Sequence, residues 1–157
     1  QGSQPIASYN YGAKNADRVK KTFRLLLITC LSYSVLLWAA VQLVPRVFVS
    51  IFTADTSLIE FTAPMLKIYL GGLFLFGIQI ACQMTFNALG NAPASILVAI
   101  MRKFVLLLPL IFILPHIITA DKTMAVYLAE PIADVLAVTF TSILFSFQFK
   151  KALREIS

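Results

Sequence analysis

A chain of 157 residues that is 59% hydrophobic and only 13% charged, with a mean hydropathy of +0.86, is too apolar for a soluble domain, in which about 25% of residues are charged. Its formal net charge of +6 points to no nucleic-acid partner, because the basic residues gather at the ends of long apolar windows. A bilayer core of about 30 Å takes about 20 apolar residues per helix, and four windows qualify: Thr22 to Val44, Ile68 to Leu89, Phe104 to Ala120 and Pro131 to Phe149.

The predicted fold is therefore all-α: a polytopic membrane helix bundle with four complete transmembrane helices, an N-terminal partial helix and a short amphipathic helix. Spans are expected near 22–44, 58–89, 94–118 and 125–149. None has the short N-terminal apolar run and small-residue cleavage site of a signal peptide, and the opening residues read as the middle of a longer chain.

Gln1 to Lys21 reads as the end of a preceding helix and a basic cytoplasmic loop, with Gly12 as a helix C-cap or turn glycine. The first span carries Tyr33 and Trp38 in its outer half, as an interfacial belt would, and Pro45 ends it. Arg46 to Phe52 alternates apolar and polar residues, with Val47, Phe48, Ile51 and Phe52 on one face, which predicts a short helix at the outer surface.

Ser57-x-x-Glu60 is a capping-box pattern that opens the second span. This helix passes the Gly71–Gly72 pair, where backbones approach closely or bend, and stops at Gly90–Asn91. Gln79, Gln83 and Asn87 recur every four residues and so share a helical face. They either hydrogen-bond to neighbouring helices or line a cavity for cationic or aromatic solutes. Tyr69 and Phe76 lie on or near that face and supply stacking or cation–π contact, and Met84 beside it adapts in shape.

Pro93 sits in the first turn of the third helix. Arg102 and Lys103 would then lie about 13 Å along it, so the helix is expected to start outside the bilayer and enter near Phe104. Pro109 and Pro115 predict kinks, for packing or as a hinge. The last span begins with Glu130–Pro131 as its N-terminal turn. Glu130 and Asp134 share a face there, and either complement the helix dipole or bind a cation or carry protons.

Ten of the 13 basic residues fall on one side of four alternating spans, Arg102 and Lys103 among them. That side is cytoplasmic by the positive-inside rule, and with it the C-terminus. Cys30 and Cys82 lie in apolar windows and read as small buried hydrophobes. A single histidine, His116, cannot build a multi-histidine metal or haem site. No P-loop, nucleophile elbow or zinc-protease motif is present, so neither an enzyme nor a resident cofactor is expected.

The segment Gln4-Pro5-Ile6 with Tyr9-Asn10-Tyr11-Gly12-Ala13, the turn Leu89-Gly90-Asn91, and Ala129-Glu130-Pro131-Ile132-Ala133-Asp134 resemble the C-terminal half of bacterial multidrug and toxic compound extrusion (MATE) transporters. The resemblance covers essentially the whole chain. It implies twelve helices in two bundles, of which this chain holds the end of helix eight and helices nine to twelve. It further implies exchange of cationic or amphipathic drugs against protons or sodium ions across the bacterial inner membrane, with the N-terminal bundle of the same polypeptide as the missing partner.

In some members the helix matching Ser57 to Gly90 bears an acid for the coupling cation; here the nearby residues are Phe74, Ile78 and Gln79, and no carboxylate lies between Glu60 and Asp121. The coupling ion is therefore expected to bind mainly outside this chain. The competing function is a lipid-handling or structural membrane subunit, in which the amide stripe only joins helices.

Overall fold

The computed structural model describes Gln1 to Ser157. The chain is helical throughout: α1 (Ser3–Gly12), α2 (Ala16–Leu43), α3 (Pro45–Ser50), α4 (Thr56–Tyr69), a 3-10 turn (Leu73–Leu75), α5 (Phe76–Ala88), α6 (Ala92–Ile100), a π-helical segment (Met101–Leu107), α7 (Leu108–Ile117) and α8 (Lys122–Ile156). Three continuous helical stretches, Ala16–Leu43, Ala92–Ile117 and Lys122–Ile156, are long and apolar enough to cross a membrane. The fourth expected span is α4 and α5 together, bent by 41° at the intervening break.

Local chemistry explains most boundaries. Gly90 has φ +74°, the left-handed conformation that ends a helix at little cost only for glycine. The Asn91 side chain then accepts from the Ala94 amide, and Pro93 occupies the first turn of α6. At the other interface Asp121 caps α8 through the Met124 amide.

Four local expectations are corrected. The left-handed residue between α1 and α2 is Lys14, not Gly12. Asp55, rather than the Ser57–Glu60 box, caps α4: its Oδ1 accepts from the Ser57 and Leu58 amides and from the Ser57 hydroxyl. The last helix starts eight residues before Glu130, so Pro131 lies inside α8. The irregularity of the third span lies upstream of the prolines: Pro109 opens α7, and the turn before it is the π-helical segment. A proline nitrogen cannot donate to the carbonyl one turn back, and the freed ladder re-forms with a wider ring.

α8 is the central post. Ala125, Ala129, Ala133 and Ala137 recur every four residues and are at most 1% exposed, a stripe of methyl groups that lets α4, α7 and the π segment pack closely against it. Toward the basic end, Phe86, Cys82, Val98 and Phe145 form a core, with the Phe145 ring stacked on Phe23 at 4.5 Å and on Phe149 at 4.9 Å. α2 and α5 touch at Gly77, where a Cβ would stand 2.5 Å from the Cys30 carbonyl oxygen.

The break between α4 and α5 is held from α2. A bend leaves carbonyls without intrahelical donors, which in lipid must be satisfied by other groups. Trp38 Nε1 donates to the Gly71 carbonyl at 3.0 Å, and Gln42 Nε2 to the Lys67 carbonyl at 2.9 Å. Trp38 thus faces inward, edge-on to Phe74, instead of lying in an interfacial belt; Tyr33 stays exposed.

Candidate functional site: a buried ion cluster beside the broken helix

Three elements converge on one ionic cluster. The π segment supplies Arg102, and α8 supplies Glu130 and Asp134, one turn apart on the same face. Arg102 Nε donates to Asp134 Oδ1 at 2.9 Å, and Nη2 bridges that oxygen and Glu130 Oε1, the latter at 2.8 Å. The three side chains are 14%, 10% and 9% exposed, which leaves the charges little solvent other than one another. Lys103 Nζ stands 3.8 Å from Glu130 Oε1 but is half exposed, at the rim.

The broken helix forms the third wall. Asp134 packs directly on Gly72, where a Cβ would lie 2.8 Å from the Asp134 Cβ and 3.0 Å from Oδ2. Pro131, in the same turn of α8, borders both glycines. The first ring of α5, Phe76, lies under the guanidinium with Cζ 5.2 Å from the ring centroid, a cation–π contact. Tyr69, at the end of α4, packs edge-on to Tyr127 of α8 at 6.0 Å.

The depth of the cluster follows from helix rise. Asp134 is about 18 Å along α8 from its Lys122 end and Arg102 about 15 Å along the third helical stretch from Ala92, so both lie several turns inside their helices. Arg102 is therefore not a residue of the cytoplasmic flank, as expected above. It is a charge inside the bundle, kept there because its partners are there too.

The amide stripe of α5 is divided among three neighbours. Gln79 is buried, and its Oε1 accepts from the Thr141 hydroxyl of α8 at 2.9 Å. Gln83 Nε2 reaches the Ser95 carbonyl of α6 at 3.4 Å. Asn87 is exposed and, with Met84, borders a cavity of about 410 Å³ against Gln1, Gln4 and Ser8 of the N-terminal segment. Of the expected cavity residues, Phe76 and Tyr69 adjoin the ion cluster's walls, Gln79 and Gln83 join helices, and Asn87 faces open space.

Sequence reasoning missed Arg102 as a member of the site and Thr141 as the partner of Gln79; it marked the Gly71–Gly72 pair as a close approach or bend but not as a wall of the cluster. The signal for Arg102 was its position ten residues into an apolar stretch, in a bundle whose last span carries Glu130 and Asp134 among its apolar residues.

A bent span, a buried Arg–Glu–Asp cluster between helices and a close-packed alanine stripe define an all-α, multi-pass membrane protein. The family model MatE matches residues 1–113, and the chain belongs to that family. Among solved structures, the MATE multidrug transporter DinF-BH, solved in complex with a ligand, is similar with TM-score 0.81 and 34% identity, over 90% of this chain and 31% of that one. The inward-facing form of a multidrug resistance MATE family transporter of the MOP superfamily superposes with TM-score 0.88 and 16% identity, over 99% of this chain and 36% of that one. The Vibrio cholerae MATE transporter VcmN in its bent form does so with TM-score 0.80 and 18% identity, over 98% and 33%. These last two likenesses concern the fold alone. No curated protein matches the chain. The chain spans about a third of the length of the structures that it matches.

Proposed function

We propose that the parent protein is a cation-coupled antiporter that exports cationic or amphipathic drugs across the bacterial inner membrane, and that this chain supplies most of one of its two helical halves. The observation that carries this reading is the buried Glu130–Asp134 pair inside the helix bundle, in a chain 34% identical to a MATE multidrug transporter over 90% of its length. A carboxylate pair inside a span persists where it handles a cation or a proton. A site at the junction of a broken helix and its neighbours suits alternating access by rocking of bundles.

In this reading Glu130 and Asp134 take part in coupling to H⁺ or Na⁺, beside residues of the other half, while Asn87, Phe76 and Tyr69 present amide and aromatic surface to the substrate. The basic rim that includes Lys14, Lys20, Lys150 and Arg154, which borders a cavity of about 620 Å³, lies on the cytoplasmic side together with the C-terminus.

A second reading, a lipid-handling or structural subunit, is favoured by one observation: Gln79 and Gln83 are both engaged between helices. The parent protein in proteoliposomes separates the two. An imposed sodium or proton gradient should drive movement of a fluorescent organic cation, and collapse of the gradient with an ionophore should stop it. Cation movement indifferent to both gradients would remove the antiporter reading.

A further inference from the structure

The ionic cluster does not have balanced charge. One guanidinium faces two carboxylates, so with Arg, Glu and Asp ionised the group is one positive charge short of neutral, and the only other nearby cation, Lys103, is half in solvent. A buried uncompensated charge is costly. The geometry of the pairing is also incomplete. A guanidinium usually meets a carboxylate with two nitrogens on two oxygens; here Nε and Nη2 both address Asp134 Oδ1, and Nη2 is shared with Glu130 Oε1. Asp134 Oδ2 and Glu130 Oε2 accept no hydrogen bond from the protein, and Oδ2 lies 3.0 Å from where a Cβ on Gly72 would stand.

The mounts differ as well. Glu130 and Asp134 stand on a 35-residue helix fixed by its alanine stripe. Arg102 stands on seven residues of π-helix, whose hydrogen-bond register converts to the α form by a one-residue shift and re-aims the side chains it carries. The other titratable groups around the cluster are Tyr69 on α4 and Tyr127 on α8.

We propose that Arg102 is a tethered counter-cation: it holds the Glu130–Asp134 site in the ion-free state and yields one or both carboxylates when a monovalent cation, Na⁺ or H⁺, binds there. This rests on the assignment of coupling to Glu130 and Asp134. The incoming charge neutralises the cluster, Arg102 loses its hold on Asp134, and the π segment is released from α8. Phe76 keeps the freed guanidinium on a cation–π surface instead of in lipid. Ion binding on α8 is thereby transmitted to α6 and α7, which carry no acid of their own.

The test uses the full-length parent in detergent micelles, with sodium titrated at fixed pH and protons titrated without sodium, and N-methylglucamine chloride as the control salt. Arg102→Gln removes the built-in competitor and should tighten binding of the active cation by about tenfold, with Arg102→Lys between it and the parent. In the unmutated protein the same cation should raise amide hydrogen exchange over Met101 to Leu107, a readout that does not depend on the variants folding. Unchanged or weaker binding in Arg102→Gln, or no change in exchange over the π segment, overturns the counter-cation role. If Glu130→Gln with Asp134→Asn leaves cation binding intact, the assignment of coupling to those acids fails instead.

Discussion

Arg102 and Asp134 are 32 positions apart and meet through two N–H groups on a single carboxylate oxygen, which ties the irregular turn of the third span to the first half of α8. Breaking one partner of a buried pair strands the other charge and typically costs about 3–5 kcal/mol. Arg102→Ala, which leaves Glu130 and Asp134 facing each other without their guanidinium, should therefore lower the stability of the parent by about that amount, while Lys103→Ala at the half-exposed rim should cost under about 1 kcal/mol. Denaturant unfolding of the purified parent compares them; equal, small losses would contradict a buried, interdependent cluster.

Gly72 is the position at which α8 comes closest to the broken helix. A methyl group there meets the Asp134 Cβ at 2.8 Å and the Pro131 backbone at 3.3 Å, and overpacking of this kind costs about 1–3 kcal/mol. Gly72→Ala should push Asp134 off Arg102 and impair transport. Gly12→Ala, with nothing within 4 Å, should leave both stability and transport unchanged. Parallel measurements on the two variants check this, and a silent Gly72→Ala would show that the backbones need not approach.

The Gln79–Thr141 bond is interhelical cement. Bonds of this type between membrane helices average about 0.6 kcal/mol and reach about 1.7 kcal/mol. A double-mutant cycle with Gln79→Leu and Thr141→Val should return a coupling energy in that range, with substrate preference unchanged in the folded fraction. Asn87→Leu should do the reverse, altering substrate preference at constant stability. A change of substrate preference on mutating Gln79 rather than Asn87 would reverse these roles.

The exposed Asp55 cap responds to pH in a known direction. The Ser57 hydroxyl, followed by the Leu58 and Ser57 amides, holds its carboxyl below the usual carboxylate value. The charged form is thus favoured in the folded state. Its stabilisation of α4 is complete above the unfolded pKa of about 3.9 and is lost as pH falls through the lower, folded value. Carbon NMR of the carboxyl group should show a midpoint below the ordinary one, and Asp55→Asn should keep the cap without the pH dependence. A midpoint at or above the ordinary value would contradict the cap.

Apolar length and turn chemistry made the four spans legible in the sequence, and Gly90, Asn91 and Pro93 ended and restarted helices where their backbone preferences require. The pairing of Glu130 with Asp134 was also visible as a four-residue spacing. What periodicity does not carry is which helix lies opposite. Arg102 looked like a flank residue because its countercharges are about 30 positions away, and Pro109 marked an irregularity that the chain takes up as a widened turn just before it. Gln79, Gln83 and Asn87 share a spacing but meet α8, α6 and open space, because one helical face touches different neighbours along its length.

The acid pair of α8 is tested most directly by the ion dependence of transport in the parent carrying Glu130→Gln and Asp134→Asn together. These amides keep the shape and remove the charge. Efflux of an organic cation from proteoliposomes should lose or strongly shift its dependence on pH or sodium while the protein remains folded. An unaltered pH profile and an unaltered sodium profile in that variant would contradict a coupling role for the pair.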